Sequence, residues 1–214
     1  MRLSLNMLLC WLITLTPTLF CSLSAGEPDD ENCEYVFSLE EQPIRVSPLV
    51  GQLRPNRILV ITSLDRQDRL KEQQSLRTAL TKEIRELSTY DAIESRKCIC
   101  ERVNPIRSGR FDERRLVALS HEYLVDTVIF CQVVSIEAYR PMRLDVAFMM
   151  INIDQSVAVA SGTLRFDLAD PITEKIYHQS ISADREDPMT ASSSPSRLIE
   201  FAAKQMAIQI KSLW

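Results

Sequence analysis

Two histidines, His121 and His178, and six cysteines are the side chains here with the widest chemical reach. A zinc site collects its donors from several histidines, cysteines or carboxylates, and a nucleophilic triad needs a histidine held by an acid. Two histidines restrict both. His121 follows Leu119-Ser120 on an expected helix and points away from the apolar stripe Leu116/Leu119/Tyr123, so it is read as solvent-facing. His178 precedes Asp184, Glu186 and Asp187. That grouping defines one enzymatic alternative, a small exported metal-dependent hydrolase using His178 with Asp184 or Glu186. The polar surroundings of those acids argue against the rigid supporting shell that such chemistry requires.

Other catalytic signatures are missing. The chain has no G-x-S-x-G elbow, phosphate-binding loop or dinucleotide fingerprint. Its four glycines, Gly26, Gly51, Gly109 and Gly162, are too scattered to cradle a phosphate. Asp167 and Asp170 close a strand and are read as a hairpin terminus rather than paired catalytic carboxylates. No catalytic residue, cofactor or metal ligand is therefore assigned. A cleft beside the central strands, making a ligand-binding module, is a third alternative.

The cysteines divide by position. Cys10 and Cys21 belong to the amino-terminal apolar stretch, leaving Cys33, Cys98, Cys100 and Cys131. Cys98 and Cys100 lie in an extended-looking stretch, where residues two apart share a face. They are badly placed to bridge each other and well placed for one to meet a third, such as Cys33. A disulfide among Cys33, Cys98 and Cys100 and free thiols both stay open; a C-x-C metal site lacks a second pair. Cys131, between Phe130 and Val133, is read as a small core residue.

The elements that would position these groups follow from periodicity. Ile58 to Ile61 form an unbroken apolar run, as in a strand buried on both faces. Leu76, Leu80, Ile84 and Leu87 mark one helix. A short strand follows from Tyr90 to Ile93, with an extension toward Cys100. Asp112 is the expected cap of a second helix reaching Tyr123. Val125 to Asp170 then read as three antiparallel strands, turned at Arg140-Pro141 and Asp154-Gln155-Ser156. Ala158, Ala160, Gly162, Leu164 and Phe166 share one face of the third strand, small enough to admit a helix. Ile172 to Ser182 is either a short helix or irregular. Ser194-Pro195 start a last helix with Ile199, Ala203, Met206 and Ile210 inward. The expected fold is α/β, a mixed sheet of about five strands with an antiparallel three-strand meander and about three helices.

The 214 residues carry a formal charge of −4 and 45% hydrophobic content, enough for one core. Scattered arginines among acids exclude a nucleic-acid footprint. Arg2, the apolar run Leu3 to Phe20 and the small residues Ser22, Ser24 and Ala25 have the form of an export signal. Three fates stay open: cleavage after Ser24 or Ala25, lipid on Cys21 (for which Phe20 is a poor preceding residue), or retention as an anchor. The expected division is 1–25 signal or anchor, 26–50 acidic, proline-containing tether, and 51–214 a single α/β domain. Ile44 to Val46 are an expected edge pairing.

Leu116 to Phe130, LVALSHEYLVDTVIF, and Ile151 to Gly162, INIDQSVAVASG, resemble a group of bacterial envelope domains. These include the curli-secretion lipoprotein, the TolB amino-terminal domain and the lipoprotein activators of penicillin-binding proteins. Their phrases are A-x-x-L-x-A-D-x-V-I-x-G and D-x-x-T-G-x-x-x-W. Gln155-Ser156 stand here for Thr-Gly, Cys131 follows the strand entry, and the hairpin tryptophan is missing. No connection is long enough for membrane-inserting hairpins, so pore formation is not carried over. The resemblance implies a non-enzymatic, exported envelope domain whose partners are envelope proteins or other copies of itself, with membrane contact through leader or lipid.

Overall fold

The computed structural model describes residues 44–64, 69–96, 99–100, 104–183 and 194–214, with 64, 99, 100, 182 and 183 as backbone alone. All lie within one compact unit, Tyr35–Trp214. Cys21, Cys33, Cys98, Asp184, Glu186 and the export signal lie outside the described residues.

The strands are β1 (Arg45–Val46), β2 (Arg57–Leu64), β3 (Asp91–Glu94), β4 (Ile99–Cys100), β5 (Thr127–Glu137), β6 (Arg143–Asn152) and β7 (Val157–Asp167). The helices are α1 (Leu70–Leu87), α2 (Pro105–Ser108), α3 (Glu113–Tyr123), α4 (Pro171–Ala183) and α5 (Pro195–Lys211). They form one mixed sheet in the order β1-β7-β6-β5-β2-β3, with β4 also on β2. β2 runs parallel to β3, β4 and β5, while β5, β6 and β7 are the antiparallel meander. The expected α/β class and meander are present. The higher strand count comes from two-residue strands: β1 pairs Arg45 with Ser161, and β4 continues beside β2 after β3 stops.

The sheet has two unequal coats. Ile58, Val60, Ile129, Cys131, Val146, Phe148 and Phe166 face a large cluster shared with Leu76, Leu80 and Ile84 of α1 and Leu198, Ala202 and Met206 of α5. Leu59, Ile61, Val128, Phe130, Met149 and Ile151 face a smaller cluster with Leu116 of α3. Alternation along β2 thus feeds both, which is why its sequence does not alternate in polarity. α5 buries more than one stripe, including Leu198, Phe201 and Ala207, because it lies among sheet, α1 and α4. Phe201 meets Phe166 and Tyr177 edge to face, with centroids 5.8 and 5.4 Å apart. Of the expected β7 face, Ala160, Leu164 and Phe166 join the large cluster, whereas Ala158 and Gly162 are only half-buried; the register shift beside Ile151 turns Val159 into the cluster in place of Ala158. Residues 171–183 are a helix.

Two local expectations divide. The Asp112 Oδ1 accepts from the Arg114 amide at 3.0 Å and caps α3. Ser194 has the extended backbone of a cap, but its side chain makes no cap hydrogen bond, so Pro195 alone marks the start of α5.

Candidate functional site

Asp126, between α3 and β5, organises one end of the parallel strands. Its Oδ2 accepts from the Asn56 amide at 2.8 Å and the Arg57 amide at 3.2 Å. Its own amide donates to the Arg57 carbonyl at 3.2 Å. The carboxylate therefore fixes where β2 begins beside β5. It is a structural anchor acting through Oδ2 alone; Oδ1 is buried without a hydrogen-bond partner among the described residues.

At the opposite end, β2 stops pairing with β5 at Thr62 and Cys131; β6 still pairs on one side, and the next β5 groups are left without a strand partner on the other. α1 supplies it. Gln73, 1% exposed, donates its Nε2 to the Val133 carbonyl at 3.1 Å and accepts from the Val133 amide at 3.0 Å. The Arg69 guanidinium donates to the Val134 carbonyl. The β5–β6 register shifts between Val133 and Ser135 at this point. An amide side chain and a guanidinium thus complete an interrupted ladder. A second buried amide contact joins α2 to the sheet: Asn104 Nδ2 donates to Gln132 Oε1 at 2.8 Å while Asn104 Oδ1 accepts from the Ile106 amide.

The histidines occupy different surroundings. His121 is exposed on α3. His178 lies on α4, 45% exposed at its side chain, with Nε2 3.7 Å from Glu174 Oε1 one turn earlier. Its ring centroid is 5.8 Å from that of Tyr177. Among the described residues no group of three metal-capable side chains converges. Burial pushes the Tyr177 phenol up to about 12 and the Cys131 thiol likewise to about 12. Cys131 is fully buried, with Sγ 3.7 Å from the Ile61 carbonyl. A thiol in that state is a small core group, since thiolate is the reactive form. Cys100 belongs to β4, and its side chain lies outside the described atoms.

The terminal acids of the meander have separate structural duties. Asp167 pairs with Arg143 at 2.9 Å across β6–β7. Asp170 accepts from the Thr173 hydroxyl at 2.7 Å and the Thr173 amide at 2.8 Å, opening α4. Those hydrogen bonds, the hydroxyl's first, hold its carboxyl below the usual range.

Sequence reasoning missed the outer face of the meander. Arg143 stands opposite Asp167, and Asp145 opposite Arg165. Arg165 Nε meets Asp145 Oδ1 at 2.9 Å, and the Ser135 hydroxyl donates to Asp145 Oδ2 at 2.8 Å. The signal was the R-x-D pattern in both strands, which antiparallel pairing turns into opposed charges. Over the other coat, an open groove of about 890 Å³ follows the α1–α5 seam. Lys71, Lys82, Arg197 and Lys204 alternate there with Glu83, Glu86 and Glu200, and among the described residues neither a histidine nor a cysteine lines it. These surfaces can hold a partner through distributed polar contacts; they do not assemble a nucleophile with a base.

No family model and no curated protein matches the chain. Among solved structures, it is similar to a PelC dodecamer from Paraburkholderia phytofirmans, at 10% identity, covering 57% of this chain and 80% of that one, with a TM-score of 0.37. Lipoprotein GNA1162 from Neisseria meningitidis gives 14% identity, 53% and 81% coverage and a TM-score of 0.35. The hypothetical protein CT253 from Chlamydia trachomatis gives 7%, 74% and 96%, and 0.42. At such scores these likenesses decide nothing about fold or activity.

Proposed function

We propose that this chain is an exported cell-envelope protein whose α/β domain is a non-enzymatic scaffold, binding other envelope proteins or further copies of itself in assembly or secretion. The observation that carries the reading is the export pattern of Arg2, Leu3–Phe20 and Ser22–Ala25, followed by the acidic stretch GEPDDENCE. The domain after it supports the same reading. Its opposed charges keep the outer meander face solvated, and its polar groove offers contact area without a catalytic pair. Among the described residues no helix is long and apolar enough to cross a membrane, so membrane attachment in this reading belongs to the leader or to lipid on Cys21.

The test is cell fractionation with mass spectrometry of the amino terminus, followed by cross-linking in intact cells. The expected result is an envelope fraction carrying one of three termini: cleaved near Ala25, lipid-modified at Cys21, or intact and membrane-bound. Cross-links should run to envelope proteins or to a second copy. An intact cytoplasmic chain without envelope cross-links overturns the proposal. A zinc-dependent rise in melting temperature that His178→Ala abolishes would instead favour the hydrolase alternative.

A further inference from the structure

We draw no further inference here: the strongest candidate, the open groove along the α1–α5 seam, carries none, because Glu83, Glu86 and Glu200 offset its basic side chains and nothing in the structure shows what covers it.

Discussion

At Asp126 a single carboxylate decides how two strands begin. Both amides it accepts belong to residues about 70 positions earlier, Asn56 and Arg57. Asp126→Ala leaves those donors without their charged acceptor and should cost about 1–3 kcal/mol in urea unfolding; an unchanged midpoint would show that solvent replaces it. The residue stands within the family-like phrase LVDTVIF, so its presence was legible, but its partners were not, because sequence spacing says nothing about a contact across the sheet. Ser156 is a converse case. It adopts φ 50° in the β6–β7 turn, a left-handed conformation that glycine takes more readily. The turn holds a side chain in this strained region, so Ser156→Gly should raise stability by roughly 0.5–1 kcal/mol. Asp170 adds a pH dependence. Its folded carboxyl titrates below the unfolded one, so its stabilising contribution is present above the ordinary aspartate range and lost as pH falls through the depressed value. Asp170→Asn should flatten the fall of melting temperature on acidification, relative to the parent chain; parallel curves would refute the linkage.

Elements were legible where one face is uniformly apolar. α1, α3, α5 and the meander follow their periodicities, and β2 follows its unbroken apolar run, since burial of a single stripe or of both strand faces leaves that mark in composition. α4 left a weaker one. Its inward positions are Thr173, Tyr177 and Ile181, so two of the three carry a hydroxyl and apolar spacing alone does not reveal the helix. The join between α1 and β5 was not legible either. Gln73 occurs in a polar run, KEQQS, and nothing in that run separates it from the exposed Gln74. Only the interrupted pairing of β2 with β5 makes its amide the matching donor and acceptor for Val133. Gln73→Leu preserves bulk and removes both bonds, leaving a buried carbonyl and amide unsatisfied. It should destabilise the protein by about 1–3 kcal/mol and speed exchange of the Val133 amide. Loss of stability without faster exchange at Val133 would place the effect elsewhere.

For the whole molecule, the same strands serve both apolar clusters, and the consequence is cooperativity. β2 sends Ile58 and Val60 into one and Leu59 and Ile61 into the other; β5 sends Ile129 and Cys131 one way and Val128 and Phe130 the other. Neither helical layer can leave without exposing a face of strands that the other still needs. This economy also limits how far function can be read from composition: most of the apolar side chains are committed to the two clusters, and the surface is left largely to polar groups whose partners the chain does not encode. Cys131 reports on the cooperative unit directly. Its thiol is raised from 9.0 to about 12 by burial, so in the folded protein it stays protonated at pH 8, whereas the unfolded thiol supplies thiolate to an alkylating reagent. By the same linkage, protection of the neutral thiol favours the folded state fully below pH 9, and that advantage is lost as pH rises toward about 12. Peptide-resolved alkylation of Cys131 across a urea series at pH 8 should therefore rise with the same midpoint as loss of far-ultraviolet circular dichroism. Alkylation at lower urea, with the dichroism intact, would mean that the α1–α5 layer opens by itself, and the two clusters would then be separate units of stability.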